Sequence, residues 1–401
     1  MLDLEMIKDA QRSLTGVARY TDLIKAPLLA NDCSLFLKPE NLQFTGSFKL
    51  RGAGYKIATL SDKEKSAGVI ACSAGNHAQG VALSATKNGI KSIVCMPASA
   101  PLMKVEATKS YGAEVVLVPG VYDDAFAKAV ELQKEHGYTF VHPFNDECVI
   151  AGQGTIGLEI LSELPDADVI VCAVGGGGLI SGIALAAKSI NPNIKIYGVQ
   201  AEGAASMYEA VKAGKVVKLP SVSTFADGIA VKEAGSLTYD IVSKYVDGIV
   251  TVSEDEIASA ILAMLERQKM VAEGAGAVSV AAVMTGKIPC KGKKTVCVVS
   301  GGNIDVGILS NVLGRGLIST GRMHNIKMTL PDRPGQLTSV TRCIADNGGN
   351  VLSVRHERGS DPMNINACNL DIVIETRDRE QIEKIDGDLK RLGYILLPTL
   401  Y

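Results

Sequence analysis

The feature that most constrains the fold is a regular alternation of short apolar segments with amphipathic ones. Apolar strands this short belong to a sheet that is covered on both faces, and the helices between them provide the cover. The sequence therefore predicts an open α/β architecture. The predicted strands are 69–73, 92–97, 113–119, 139–144, 169–174, 194–200 and 295–300, and helices are expected from Asn76, at 104–111 and 123–136, after Leu179 and from Ser253. Capping boxes are expected at Ser61 with Glu64 and at Ser253 with Glu256.

The pattern changes after about Gly321. A strand at 326–330 is followed by the turn PDRPG, a helix, two strands, a helix at 378–392 and a last strand, which is a βαββαβ order. In the strand around Cys368 and Ile374 apolar and polar residues alternate, so one face is expected to be buried and the other exposed. We therefore predict a separate small domain at the C-terminal end of the sequence.

The composition is typical of a soluble globular protein. Of 401 residues, 47% are hydrophobic and 21% charged, and the formal net charge is -2, so the basic surplus of a nucleic-acid-binding protein is missing. No apolar run reaches the ~18 residues of a membrane span, and the N-terminal segment lacks the apolar centre of a signal peptide. The nine cysteines include no CxxC pair. We expect reduced thiols that pack in the core, a cytoplasmic location, and neither a membrane nor a nucleic acid as partner.

Four consecutive glycines, Gly175 to Gly178, separate the predicted strand 169–174 from the helix that follows it. At such a junction backbone N–H groups converge on an anion, and the helix dipole stabilises its negative charge. The pattern is neither the GxGxxG of dinucleotide-binding proteins nor a P-loop. A flexible turn is the alternative, but four glycines exceed what a turn requires. We predict a phosphate-binding loop.

Two polar loops also follow predicted strands. SAGNHAQG offers the Ser73 hydroxyl, the Asn76 amide and the N–H groups around Gly75, which suit a carboxylate, although an ordinary N-cap is the alternative. SGGN begins with Ser300, at the end of the last predicted strand of the α/β region. Because ligands of open α/β proteins bind at the carboxyl ends of the strands, these loops are expected to share one site.

Lys49 lies between aromatic and small residues in the segment FTGSFKLRGA. Most lysines are exposed surface residues, and only an amine in a dry pocket is suited to forming a Schiff base. By itself the residue is therefore uninformative. The phosphate loop and the two polar loops make it informative. Together with Lys49 they provide an amine that can form a Schiff base, a site for a phosphate and a site for a carboxylate.

The segments SFKLRGA, SAGNHAQG, GGGGL, ADG, EGAGA and SGGN occur in this order, and with them the chain resembles the threonine dehydratases among fold type II pyridoxal-phosphate enzymes. The resemblance runs from about Tyr20 to the end. It implies a tryptophan-synthase-beta-like catalytic region with two open α/β sheets at 1–321, an ACT-like regulatory domain at 322–401, and pyridoxal 5'-phosphate as cofactor. The implied reaction converts L-threonine, and also L-serine, to 2-oxobutanoate or pyruvate and ammonia.

The resemblance also implies a role for each motif. Lys49 would bind the cofactor covalently and act as the base at the substrate α-carbon. Phe48 would lie against the cofactor ring, Asn76 would bond the ring hydroxyl and Ser300 would meet the pyridine nitrogen. The phosphate would be bound by Gly175, Gly176, Gly177, Gly178 and Leu179, and the substrate carboxylate by Ser73, Ala74, Gly75, Asn76 and His77.

Some positions depart from the pattern or are ambiguous. Racemases of this family have a serine immediately before the glycine of SxGN, where this chain has Ala74, and the missing hydroxyl argues against racemisation. Glu202 lies in a loop where some relatives bind a cation, but an expected acidic neighbour is missing, so we expect no metal site. Asp227 and Glu273 either face the active site or have ordinary turn and capping roles.

The C-terminal region is expected to bind an effector. ACT-like domains pair edge to edge and bind small amino acids where the first loop of one domain meets a neighbour. The corresponding residues are Asp332, Arg333, Pro334, Gly335, Gln336, Leu337 and Asn350, with an amino acid or a nucleotide as the effector. A dimerisation module that binds nothing is the alternative. In either case we expect a homo-oligomer, a dimer or a tetramer.

Two other functions remain open at this point. The first is a serine-preferring dehydratase or a serine/threonine racemase with the same fold. The second is a catalytically silent amino-acid sensor. The lysine, the phosphate loop and the carboxylate loop are all intact, which argues against the sensor. A protein without catalytic activity would not be expected to retain all three. The sequence does not distinguish a biosynthetic from a degradative role.

Overall fold

The computed structural model describes residues 2–358 and 367–398, and the chain divides into two compact units, Met1–Asp305 and Val306–Tyr401. The sequence placed the domain boundary after residue 321, where the order of elements changes. In the structure the helix Val306–Ser319 groups with the second unit. The division therefore falls before this helix rather than after it.

The first unit alternates strands and helices throughout. Its strands are β1 (Ile24–Lys25), β2 (Ser34–Pro39), β3 (Val69–Cys72), β4 (Ser92–Pro97), β5 (Glu114–Val118), β6 (Thr139–Phe140), β7 (Val169–Ala173), β8 (Lys195–Ala201), β9 (Gly248–Val252) and β10 (Lys294–Val299). Its helices are α1 (Leu4–Ser13), α2 (Lys49–Ala58), α3 (Asp62–Ala67), α4 (Asn76–Lys87), α5 (Leu102–Ser110), α6 (Tyr122–His136), α7 (Glu147–Glu163), α8 (Gly178–Ile190), α9 (Ser206–Ala213), α10 (Ser236–Tyr245), α11 (Glu254–Gln268) and α12 (Gly274–Met284).

The strands form two open sheets, as the fold class requires. One has the order β5-β4-β3-β6 and is parallel. The other has the order β1-β2-β10-β7-β8-β9, and in its described pairings only β1 runs antiparallel to its neighbour. In the first sheet Ala71 packs with residues of α2 and α4, whereas Ile70 packs with residues of α6. Helices on both faces explain why the strands are apolar along their whole length.

The predicted strands and both predicted capping boxes are confirmed, with one shortened element. The predicted strand 139–144 ends at Phe140. Pro143 has no N–H for a ladder, and the ring of His142 accepts the N–H groups of Phe144 (3.2 Å) and Asn145 (2.8 Å) through Nδ1. The remainder of the segment therefore leaves the sheet as a turn.

A buried network of charges anchors the first turn of α2. Arg51, which is 2% exposed, donates from Nε and Nη2 to the two carboxylate oxygens of Glu40, each at 2.8 Å. It also donates to both oxygens of Glu159, at 2.5 and 2.8 Å. Lys38 Nζ lies 2.7 Å from Oε2 of Glu159. Because each charge has a close partner of opposite sign, the network can exist in the dry interior.

The second unit has the predicted βαββαβ order, preceded by α13 (Val306–Ser319). The other elements are β11 (Met323–Pro331), α14 (Gln336–Asp346), β12 (Asn350–Arg358), β13 (Ala367–Glu375), α15 (Arg379–Arg391) and β14 (Ile395–Leu397). The described strands form an antiparallel sheet in the order β12-β13-β11-β14. The predicted alternation is confirmed, because the core contains the strand residues Cys368, Leu370, Ile372 and Ile374.

The residues assigned to effector binding do not meet within one unit. The segment 332–337 follows β11, whose last residue Pro331 pairs with Ala367. Asn350 begins β12 and pairs with Glu375, at the other end of β13. One unit therefore places the two groups at opposite ends of the sheet. Asn350 lies beside a cavity of about 650 Å³ whose other lining residues are Asn347, Gly348, Glu375, Thr376, Arg377, Glu380, Gln381 and Lys384.

None of the helices in residues 2–358 and 367–398 combines the length and the apolar character that crossing a bilayer requires.

Candidate active site

The carboxyl ends of β3, β7 and β10 open into one cavity of about 790 Å³. Each of these strands is followed by one of the loops that the sequence singled out. The cavity wall contains the predicted residues Phe48, Lys49, Ser73, Ala74, Gly75, Asn76, His77, Gly175, Gly176, Gly177, Gly178, Leu179 and Ser300. The structure thus brings together every residue assigned to the catalytic, cofactor and substrate groups.

Lys49 is the first residue of α2 and points its amine into this cavity. Its Nζ donates to the carbonyl of Pro143 at 2.8 Å and lies 5.3 Å from the centre of the Phe48 ring. Burial lowers the pKa of Lys49 to about 8, against the opposing charge of Glu273. A substantial fraction of the amine is therefore neutral near physiological pH, as a nucleophilic amine must be.

The tetraglycine loop joins β7 to α8 and leaves no room for side chains. A Cβ on Gly176 would lie 2.5 Å from the Phe144 ring, and one on Gly177 would lie 2.6 Å from the Met207 methyl group. Gly177 also has φ +97°, a conformation that favours glycine. The loop therefore lines the cavity with backbone atoms alone at the start of a helix, which is the position predicted to bind a phosphate.

The loop Ser73 to His77 leads from β3 into α4. The Ser73 hydroxyl accepts the N–H of Gly75 at 3.2 Å, and no side chain caps the helix. The His77 ring is 3% exposed and bonds the Val141 carbonyl at 2.8 Å, so its Nε2 is the protonated nitrogen. Burial lowers the pKa of His77 to about 3. The histidine is thus neutral, and its only ring N–H is already bonded to Val141. His77 can therefore donate a hydrogen bond to an anion only from its backbone N–H.

Ser300 follows β10 and closes the cavity on a third side. Its side chain is 2% exposed, and the hydroxyl donates to the Ala275 carbonyl at 3.1 Å. The carbonyl of the same residue accepts the N–H of Phe48 at 3.1 Å. This bond ties the end of β10 to the residue before Lys49, so the hydroxyl and the amine have fixed relative positions.

A chain of polar side chains crosses the cavity wall, and it includes Glu273, whose role the sequence left ambiguous. The Asn76 amide donates to Glu273 Oε1 at 2.7 Å, and Asn303 Nδ2 donates to Asn76 Oδ1 at 2.7 Å. Glu273 occupies the N-cap position of α12 but makes no capping bond with its side chain. Its carboxyl group therefore faces the site, and the only signal for this in the sequence was the EGAGA motif.

Asp227 also lines the cavity, where its carboxylate pairs with Lys104 of α5. Glu202, in contrast, is 57% exposed and its Oε1 lies 4.0 Å from Lys287 Nζ. Among residues 2–358 and 367–398, neither carboxylate belongs to a cluster of three or more metal-ligating groups. In the described residues the one such cluster consists of Asp32, Cys33 and Cys290.

These groups match the chemistry of pyridoxal phosphate. A buried amine that is partly neutral suits its aldehyde, the N–H groups at the α8 terminus suit its phosphate, and the Asn76 amide and the Ser300 hydroxyl are neutral partners for its ring. The fold and the site thus define a pyridoxal-phosphate enzyme.

The comparisons with known proteins agree with this class. Residues 14–302 match the family described as "Pyridoxal-phosphate dependent enzyme", and the chain belongs to that family. An L-threonine ammonia-lyase of Thermotoga maritima is 49% identical over 396 residues, which are 98% of either chain.

Two similar solved structures are named for two different activities. Threonine deaminase isoform 2 of Solanum lycopersicum superposes with a TM-score of 0.74 at 39% identity, over 78% of this chain and 92% of its own. Maize serine racemase superposes with a TM-score of 0.74 at 35% identity, over 79% of this chain and 98% of its own.

Proposed function

We propose that the protein is a threonine ammonia-lyase, which converts L-threonine, and L-serine as a second substrate, to a 2-oxo acid and ammonia. The observation that carries the proposal is the amine of Lys49, placed in one cavity with the tetraglycine loop and the loop Ser73 to His77, to which we assign the cofactor phosphate and the substrate carboxylate. The relative from Thermotoga maritima, similar over nearly the whole chain, is named for this activity.

Each loop has a separate task in the proposed reaction. Lys49 would hold the cofactor, the N–H groups of Gly175 to Leu179 would bind its phosphate, and Phe48, Asn76 and Ser300 would contact its ring. All of these residues line the cavity. Ser73 to His77 bind the substrate carboxylate at the N-terminus of α4, where the helix dipole favours a negative charge. Pyridoxal phosphate, when bound, withdraws electrons from the substrate α-carbon.

Lys49 is the group that moves the proton. With substrate bound, its Nζ would accept the proton of the α-carbon, and its lowered pKa keeps the amine available as a base. The β-hydroxyl group and one proton, which balances the proton taken from the α-carbon, would leave together as water, and a water molecule would then hydrolyse the resulting imine to the 2-oxo acid and ammonia. For threonine the organic product is 2-oxobutanoate, and for serine it is pyruvate.

A racemase is the second candidate, because maize serine racemase shares the fold. Racemisation requires a proton donor on the face of the α-carbon opposite Lys49. The position before Gly75 is Ala74, whose methyl side chain cannot donate a proton. We therefore expect lyase products to predominate over D-amino acids.

For the second unit we propose an ACT-like regulatory role. Its βαββαβ order, the loop Asp332 to Leu337 and the cavity beside Asn350 support binding of an amino-acid or nucleotide effector. Because the two groups of residues lie at opposite ends of one sheet, a complete effector site of the ACT kind needs a neighbouring unit. The proposal therefore includes a homo-oligomer, a dimer or a tetramer.

The first experiment compares the visible absorbance of purified wild type and Lys49→Ala, followed by threonine addition with detection of 2-oxobutanoate. We expect the absorbance band of the covalently bound cofactor in wild type alone, and 2-oxobutanoate from wild type alone. Lys56→Ala, a substitution on the same helix outside the cavity wall, should retain both.

The other outcomes identify the alternatives. A colourless protein that stays inert with added pyridoxal phosphate would support the silent sensor. D-amino acid as the main product would support the racemase. Faster pyruvate formation from serine than 2-oxobutanoate formation from threonine would mark a serine-preferring dehydratase.

A further inference from the structure

A cluster of metal-ligating side chains lies outside the active-site cavity. A carboxylate oxygen of Asp32 and the sulfur atoms of Cys33 and Cys290 all lie within 4.8 Å of one another. We propose that these three residues form a binding site for a divalent thiophilic cation of the Zn²⁺ class. The proposal does not depend on the lyase activity.

The cluster is located at the end of the large sheet that is remote from the active site. Cys33 immediately precedes β2, and Cys290 lies in the segment that leads into β10. These strands are parallel neighbours, with Ser34 paired to Lys294 at their amino ends. Ser300 follows the carboxyl end of β10, and a strand of this length spans about 20 Å. A cation would therefore link the starts of two strands without contacting the cofactor site.

The backbone that carries the ligands is already held in place. The Gly292 N–H donates to the Asp32 carbonyl at 2.7 Å, and the Ser34 N–H donates to the Lys293 carbonyl at 3.0 Å. The Lys293 N–H in turn donates to the Cys290 carbonyl at 2.9 Å. Because these bonds connect the two ligand-bearing segments, little conformational freedom is lost when an ion binds.

The ligand set selects the class of ion. Two cysteine sulfurs and one carboxylate are ligands of Zn²⁺ and of its probe Cd²⁺, whereas Mg²⁺ and Ca²⁺ take oxygen ligands. Three protein ligands leave a fourth position for water. Asp32 is exposed and Cys33 partly exposed, so an ion has access from solvent, while Cys290 is 1% exposed and anchors the site in the core.

Binding to this cluster should stabilise the folded chain, since an ion that binds only the native arrangement shifts the unfolding equilibrium. The test uses the full-length, cofactor-loaded protein under reducing conditions, titrated with Cd²⁺. We expect one equivalent to bind, with a sulfur-to-cadmium absorbance band in the ultraviolet and a higher midpoint of thermal unfolding. Zn²⁺ should compete, and Mg²⁺ should not.

Three variants assign the site. Cys33→Ser and Cys290→Ala should each abolish the ultraviolet band, and Asp32→Asn should weaken binding at least tenfold without removing the band. Cys148→Ser, at another partly exposed cysteine, is the matched control and should bind as wild type does. The cofactor absorbance band shows in each case that the catalytic unit is folded.

Several results would overturn the proposal. One is a band that persists in the Cys33→Ser and Cys290→Ala double variant, and another is a band that depends on Cys148. A third is a thiol count showing that Cys33 and Cys290 form a disulfide under the reducing conditions used.

Discussion

Glu273 has a carboxyl group that is buried at the edge of the active-site cavity. Burial, together with the nearby charge of Asp227, raises the pKa of Glu273 to about 7 against the opposing effects of the bond from Asn76 and the charge of Lys104. The residue therefore exchanges its proton near neutral pH. It lies one hydrogen bond from Asn76, which we assign to the cofactor ring, so its charge state is expected to affect the site.

The raised pKa of Glu273 has a consequence for stability. In the folded state the residue keeps its proton up to a pH of about 7, whereas the ordinary value is 4.5. Between these values the folded state binds more protons than the unfolded state, so this residue makes stability fall as pH rises. In wild type this loss of stability is on the order of 3 kcal/mol over that window, and we predict that it is absent from Glu273→Gln.

Urea unfolding of the cofactor-free protein at a series of pH values measures this effect. Glu202→Gln, which changes an exposed loop carboxyl, is the control and should show the pH dependence of wild type. Equal pH dependence in wild type and Glu273→Gln would mean that the carboxyl ionises alike in the folded and unfolded states.

At the scale of elements, helix α2 is positioned by buried charges. Arg51 pairs with Glu40 and Glu159 two residues beyond Lys49. We predict that Arg51→Met destabilises the protein by about 3–5 kcal/mol, because it leaves the buried Glu40 without its cationic partner and leaves Glu159 with Lys38 alone. Denaturant unfolding gives the value.

Lys56→Met on the same helix provides the comparison. Lys56 pairs with Asp146 at 2.7 Å, and both side chains are partly exposed. Loss of this pair should cost about 1 kcal/mol or less. Equal costs for the two substitutions would show that the buried network contributes no more than a surface pair does.

The N-terminus of α8 depends on a glycine for two reasons. Gly177 has a positive φ, and an added Cβ would also lie 2.8 Å from the Cβ of Thr238. Gly214 has φ +69° with nothing within 4 Å of an added Cβ, so it shares only the first reason. We predict that Gly214→Ala costs about 1–2 kcal/mol and that Gly177→Ala costs more and weakens cofactor binding.

Both glycine variants are measured by urea unfolding and by titration with pyridoxal phosphate, followed by visible absorbance. Cofactor affinity should fall in Gly177→Ala and stay unchanged in Gly214→Ala. A Gly177→Ala protein with wild-type affinity would contradict the assignment of this loop to the phosphate.

At the scale of the whole molecule, the proposed homo-oligomer can be tested at the edge of the sheet in the second unit. In the described part of its sheet β12 is an edge strand, and Val354 on it is 42% exposed. An exposed apolar edge strand is suited to pairing with a second copy, and lysine on an edge opposes such pairing. We predict that Val354→Lys reduces the oligomer mass in solution.

Size-exclusion chromatography with light scattering measures the mass. Val211→Lys, which replaces a valine of equal exposure on α9, should leave it unchanged. A monomeric wild type, or an unchanged oligomer in Val354→Lys, would remove the edge strand from the assembly interface.

The features that could be predicted from the sequence are those encoded by residues close together along the chain. The strands, the capping boxes and the alternation in β13 follow from residues that are neighbours along the chain. The tetraglycine loop was singled out because it adjoins a predicted strand, whereas Lys49 adjoins none and was singled out through the continuous motif SFKLRGA. The shortened strand β6 was missed because the ring of His142 competes for backbone N–H groups.

The sequence alone therefore determined the alternation of elements, the class of fold and the continuous motifs of the site, because short-range sterics and periodicity encode them. Only the tertiary structure decided which distant residues meet. Asn76, Glu273 and Asn303 form one hydrogen-bonded chain, and Cys33 meets Cys290, because strands far apart in sequence are neighbours in the sheets. The raised pKa of Glu273 has the same origin, since burial is a property of the packed molecule and not of its local sequence.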